Sequence, residues 1–148
     1  MSTFKYSTAV FLTSILCLMT VPLSAQDPTA AALMTKELTD IPGKEVLILT
    51  VEFGPGAADP IHRHDAHGFI YVLEGSVVMQ VKGGESVTLT AGQTYYEGPD
   101  DVHIVGRNAS STRPARLLAV LLKNKGASAF VPVSEREVIA GVMTPHKR

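Results

Sequence analysis

Tryptophan is absent from the 148 residues, aromatic side chains make up only 6% of them, and a single cysteine, Cys17, sits near the start. Downstream of Cys17 there is no thiol, so disulfides, thiolate metal sites and cysteine nucleophiles are excluded there; a metal would have to use histidine, carboxylate or water. Neither sign of charge is in excess, with 13 basic against 14 acidic residues. No broad attraction to nucleic acid or to an anionic membrane follows. No Gly-x-Ser-x-Gly, phosphate-cradling Gly-Lys-Ser or paired-cysteine motif occurs, which removes the corresponding hydrolase, nucleotide and zinc-finger readings.

No apolar run reaches the roughly 20 residues of a membrane span. The first 25 residues carry one positive charge, Lys5, then Ala9-Val10-Phe11-Leu12 and Ile15-Leu16-Cys17-Leu18-Met19, then Val21-Pro22-Leu23-Ser24-Ala25. That order reads as a secretory signal peptide with cleavage after Ala25, and so as a secreted or periplasmic protein with no membrane span in the mature chain. Leu23 stands where a small residue is preferred, so an uncleaved anchor is the alternative. Leu16 before Cys17 does not fit lipid attachment. Cleavage would leave 12 basic and 14 acidic residues, a charge of −2.

The mature chain reads as one domain. Residues 26–32 lack apolar periodicity and are expected to be a flexible tether. Residues 33–130 carry short β-rich segments, 45–53, 69–73, 76–81, 86–90, 94–97, 102–105 and 116–122, separated by turn residues such as Pro42-Gly43, Glu74-Gly75 and Gly98-Pro99. Gly83-Gly84 is expected to form a two-residue hairpin. Alternation of Val87 and Leu89 with Ser86, Thr88 and Thr90, and of Met79 and Val81 about Gln80, suits sheets with one buried face, and the regular short strands predict a sandwich or barrel. Residues 131–148 form an extended arm or a short helix over 133–142, with Ser134 as cap, Glu137 completing a capping box and Gly141 as terminator.

Three of the five histidines fall within six residues, His62-Arg63-His64-Asp65-Ala66-His67. On an extended chain His62 and His64 project to one face and can share an ion, while Arg63 points the other way. Around them Gly56, His62, His64 and Gly75 match the first motif of the cupin superfamily. Gly92 and His103 match its second motif, with Pro99, Asp100 and Asn108 departing from it. The chain thus resembles a small single-domain cupin.

That resemblance implies an all-β, jelly-roll-like double-stranded β-helix, a barrel holding a divalent transition metal (iron, manganese, nickel, copper or zinc) on His62, His64 and His103. Gly68 stands where the motif places a glutamate ligand, so the fourth position falls to His67, to Glu97 or to water. Tyr71, Tyr95 and Tyr96 are further candidates for the barrel mouth. Asp59 and Asp65 either orient an imidazole or stay solvated. Asn108-Ala109-Ser110 matches a glycosylation sequon. The resemblance further implies an oxygenase-like enzyme acting on a small organic molecule, with no catalytic residue identified beyond the metal ligands. The alternative is a non-catalytic ligand- or metal-binding protein serving as sensor or accessory. A homodimer formed by terminal strands, through the apolar stretches near Leu33 and Phe130, is also implied.

Overall fold

The structure, a computed structural model, describes residues 27–141. The expected signal peptide with Cys17, the cleavage expected after Ala25 and the last residues from Val142 lie outside the described residues. Ten strands and one helix follow in chain order: β1 (Thr29–Leu38), β2 (Lys44–Phe53), β3 (His62–Arg63), β4 (Ala66–Glu74), β5 (Ser76–Val81), β6 (Val87–Thr90), β7 (Thr94–Glu97), β8 (Val102–Asn108), β9 (Ala115–Asn124), β10 (Val131–Pro132) and α1 (Glu135–Ala140). The strands form two five-stranded sheets, ordered β1-β2-β9-β4-β7 and β10-β3-β8-β5-β6. Every pairing between strands is antiparallel.

The period-two pattern decides what lies between the sheets. Along β4, Ala66, Gly68, Ile70 and Val72 are buried and the residues between them are exposed; along β9, Ala115, Leu117, Ala119, Leu121 and Lys123 are buried. Of these, Ile70, Val72, Ala115, Leu117 and Ala119 meet Phe53, Val77, Met79 and Leu89 in one core. Removing an aliphatic side chain of this size from water contributes about 1.5–3 kcal/mol, so the core rather than strand propensity fixes the register. The crossing from one sheet to the other between β4 and β5 is made by one residue, Gly75, at φ +70°. A Cβ there would lie 2.6 Å from the Pro114 carbonyl oxygen and 3.0 Å from Ala115, so this corner accepts only glycine without strain.

Two expectations need correction, and a third, the C-terminal arm or helix, is met in both its forms. Residues 29–32 are not a tether: they open β1, paired with β2 from Thr29↔Glu52 onward. Ladder bonds are made by backbone, so a strand of small residues on the edge of a sheet pairs without showing apolar periodicity. Gly83-Gly84 is not a two-residue hairpin, because β5 ends at Val81 and β6 begins at Val87, although the Gly84 amide donates to the Val81 carbonyl. At the C-terminus both an arm and a helix occur, the short strand β10 followed by α1. The Ser134 hydroxyl accepts from the Glu137 amide, the Glu137 carboxylate accepts from the Ser134 amide at 2.7 Å, and Gly141 ends the helix at φ +66°. Among the described residues no helix is long and apolar enough to cross a membrane.

Candidate metal centre

Strand pairing brings together histidines that are 41 positions apart in the chain. His62 on β3 is the direct cross-strand partner of His103 on β8, and His64 follows immediately after β3. The three rings offer nitrogens that all lie within 4.8 Å of one another. Ring centroids are 4.8 Å apart for His62 and His64 and 5.0 Å for His62 and His103. His62 and His103 are buried and His64 is partly so.

Backbone carbonyls set the tautomers. His62 Nδ1 donates to the Pro60 carbonyl at 2.8 Å, and His64 Nδ1 donates to the Ala129 carbonyl. A carbonyl can only accept, so each Nδ1 keeps its proton; neutral His62 then presents a bare Nε2 lone pair, whereas His64 Nε2 faces the Glu97 carboxylate and presents its lone pair once the proton it shares with that carboxylate is lost. The segment before α1 supports this arrangement, since β10 pairs with β3 through Pro132↔His62, and the Phe130 ring stacks on His62 at 4.5 Å and 23°.

Glu97 lies among the histidines, on β7 at the end of the other sheet, and is 2% exposed. Its Oε2 is 3.2 Å from His64 Nε2 and its Oε1 is 3.4 Å from His103 Nδ1. Burial disfavours every charge here, and the neighbours then sort the groups. Burial pushes His62 down to about 4 and lowers His103 despite the attraction of Glu97. Burial also acts to lower His64, but the Glu97 carboxylate and the Ala129 carbonyl outweigh it and raise this group. For Glu97, burial acts upward but is overcome by the bond from His64 and the fields of the three histidines, leaving it lower than usual. Glu97 Oε1 and both ring nitrogens of His103 are buried without a hydrogen-bond partner. Such groups are costly, and uncommitted donors of this type, nitrogen with oxygen, suit a divalent transition ion. The residues present therefore fit a metal.

The centre opens into a cavity of about 860 Å³. Its walls include Leu47, Leu49, Val51, Met79, Leu117 and Phe130, and its charged lining groups are Asp27, Asp59 and Glu97. No lysine or arginine among the described residues lines it. Asp59 is not solvated: it is partly buried, and burial pushes its carboxyl up to about 6, with His64 acting against the rise. Gly106 clears the room for it, since a Cβ at that position would meet His103 Cε1 at 2.9 Å and Asp59 Oδ2 at 3.1 Å.

Other candidates lie elsewhere. His67 does not join the cluster, because it falls on the outward register of β4 and bonds through Nδ1 to the Tyr96 hydroxyl at 2.7 Å, both residues exposed. Tyr71 and Tyr96 share that outer face at 43% and 51% exposure, and Tyr95 packs against the core instead of lining the cavity. Asp65 pairs with Arg63. Asn108, inside the sequon, is 2% exposed and ties three carbonyls, those of Phe53, Gly54 and Arg113. Its amide serves as a clamp and is closed to modification in the folded protein.

A family model described as "Cupin domain" matches residues 49–121. No match was found among curated protein sequences. Among solved structures, a double-stranded β-helix protein from Klebsiella pneumoniae is 17% identical, with a TM-score of 0.56 over 72% of this chain and 86% of that one. A protein from Thermus thermophilus is 26% identical, with a TM-score of 0.53 over 66% and 84%. The DMSP lyase DddQ from Ruegeria pomeroyi is 20% identical, with a TM-score of 0.52 over 60% of this chain and 43% of the lyase. The likeness thus spans less than half of the lyase, and it is a likeness of fold.

Proposed function

The chain belongs to the cupin superfamily, and from that premise we propose that it is an exported, metal-dependent enzyme, oxygenase-like, acting on a small uncharged organic molecule with an oxygen donor. The observation that carries this reading is the position of three inward histidines at the floor of an apolar-walled cavity. Its volume of about 860 Å³ suits a small organic ligand. Apart from the ion itself, the charged groups lining that cavity are acids, so no lysine or arginine among the described residues would hold a second anionic group of a substrate, and Asp59 and Glu97 would offset part of the ion's attraction for a carboxylate or phosphate. A neutral phenol, diol or ketone meets no such penalty.

His62, His64 and His103 would hold the ion. A bound transition ion would polarise a substrate oxygen and, if redox-active, support reaction with dioxygen. The chain's own contributions are binding, orientation and proton transfer. Leu47, Leu49, Val51 and Leu117 take the hydrocarbon part of the substrate and exclude water from it. Phe130 closes over His62. Asp59 is placed to accept a proton from a substrate hydroxyl, its carboxyl held nearer neutral pH than an exposed aspartate would be.

The test is elemental analysis of the mature protein purified from its own compartment without added metal or a histidine tag, with His62→Ala alongside and the N-terminus sequenced. Near-stoichiometric metal, lost in the variant, on a chain starting at Gln26 is the expected result. Oxygen-uptake assays with phenolic and keto compounds, set against dicarboxylates, then test the reaction. Metal-free protein in both preparations overturns the metal reading; ligand binding without turnover assigns the chain to the non-catalytic class instead.

A further inference from the structure

We infer that Glu97 is the carboxylate ligand of this metal centre, supplied from β7 across the strand pair, and that Gly68 is the space that lets it reach the ion. The inference rests on the metal reading of His62, His64 and His103 and assigns the group that completes the shell.

Three observations converge on it. The first is distance. Two donors that each lie roughly 2.0–2.2 Å from one ion stand roughly 3.0–3.4 Å apart when they are neighbours in its shell. Glu97 oxygens are 3.2 Å from His64 Nε2 and 3.4 Å from His103 Nδ1. The second is satisfaction: Oε1 of Glu97, a residue 2% exposed, has no hydrogen-bond partner, and neither ring nitrogen of His103 has one. A buried carboxylate oxygen without a partner costs several kcal/mol unless a positive group meets it. A divalent ion among the three histidines would meet it.

The third is register. Gly68 on β4 is the direct cross-strand partner of Glu97 on β7, and both face the interior. A Cβ on Gly68 would lie 3.6 Å from Glu97 Cβ and 3.4 Å from Leu121 Cδ2, ordinary contacts, so a side chain at position 68 would start directly against that of Glu97. Side chains at these two positions start beside one another on the same interior face. The sequence places the carboxylate on β7. With Glu97 removed, a glutamate at position 68 would start from the neighbouring strand at the same level and reach the same point. The carboxylate is therefore exchangeable between the two strands, a property that a carboxylate merely paired with His64 need not have.

The test is Mn²⁺ binding to the full chain, measured by the EPR signal of the free ion, for wild type, Glu97→Gln, Glu97→Ala, Gly68→Glu and the double variant G68E/E97A. Far-UV circular dichroism and melting of the chelated proteins check folding, and Glu97→Gln preserves shape if the alanine variant folds poorly. Loss of Glu97 as ligand should weaken Mn²⁺ binding on the order of 100-fold, at or above the range seen when outer-shell partners are lost. The double variant should recover at least about tenfold of that loss. Binding within about threefold of wild type in Glu97→Gln and Glu97→Ala overturns the inference. Weakened binding that the double variant does not recover also overturns it, by making Glu97 a group that only positions His64 and His103. Wild type that binds no Mn²⁺, Fe²⁺ or Zn²⁺ removes the metal reading itself, an outcome distinct from both.

Discussion

At the scale of single residues, the site combines groups that burial displaces in opposite senses. His62 sits at about 4 when folded against an ordinary 6.5, and Asp59 at about 6 against 3.8. A base held low favours the folded state above its unfolded value, and that stability is lost as pH falls from about 6.5 toward 4. An acid held high favours the folded state at low pH, and that stability is lost as pH rises from about 3.8 to 6. Between pH 4 and 6 the two slopes oppose each other. In the chelated Asp59→Asn protein only the histidine slope remains, so unfolding free energy should fall on acidification more steeply than in wild type, by up to about 1.4 kcal/mol per pH unit. Urea titrations at half-unit steps from pH 4 to 6 measure this; parallel curves would show that Asp59 is not buried as described. His64 and Glu97 titrate in both proteins and leave the comparison to first order.

The histidines were legible in the sequence because alternation along a strand and a motif of fixed spacing both operate over a few residues. His62 and His64 are two apart, and His103 sits in a second motif with its own glycine. Asp59 was not legible, since its burial depends on Gly106 across the bridge between Ala58 and Arg107. Nor were Ala129 and Phe130, which reach the centre from about 65 positions downstream. His67 could have joined His62 and His64 only through a bulge, and β4 runs regularly from Ala66, so His67 faces outward with Phe69 and Tyr71.

At the scale of elements, the apolar or at least half-buried strands were readable and the exposed or two-residue ones were not. β4, β6 and β9 carry buried or half-buried apolar residues at alternate positions, and together with the β-rich composition and turn residues around β5, β7 and β8 this placed the strands from β4 to β9 to within three residues. β1 is exposed along almost its whole length, β3 and β10 are two residues each, and all three exist because a neighbour offers backbone partners. Turns were legible as glycine positions, but their consequences were not equal. Gly83 and Gly92 would meet nothing within 4 Å if given a Cβ, whereas Gly75 would meet the Pro114 carbonyl. Gly75→Ala should therefore destabilise by about 2 kcal/mol or more, combining positive φ with a clash that neither backbone can relieve cheaply. Gly83→Ala, strained in φ alone, should cost about half as much. Paired thermal or urea unfolding of the two variants checks the order; equal losses would mean that the sheet-to-sheet corner relaxes freely.

At the scale of the whole molecule, one edge of the larger sheet is open. β1 ends that sheet, ten residues long, and its far side has no strand partner among the described residues. The register slips between Ala32 and Met34, a bulge at Leu33, and Leu33 and Met34 are exposed at 60% and 47%. Long edge strands are normally capped, charged or paired, and apolar side chains at a bulge do not protect one. Phe130 is already committed to His62 within its own chain, so of the two apolar stretches expected to make a dimer only the one near Leu33 remains free. The partner that fits without a second gene product is the same strand of another copy, related by a two-fold axis so that each β1 continues the other's sheet. Light scattering of the mature protein should then give twice the chain mass, and Leu33→Lys with Met34→Lys should give the monomer while leaving metal content unchanged, because neither residue lines the cavity. A wild-type monomer at working concentration would exclude the pairing, and a dimer that survives both lysines would move the interface to the outer face of Phe69, Tyr71 and Tyr96.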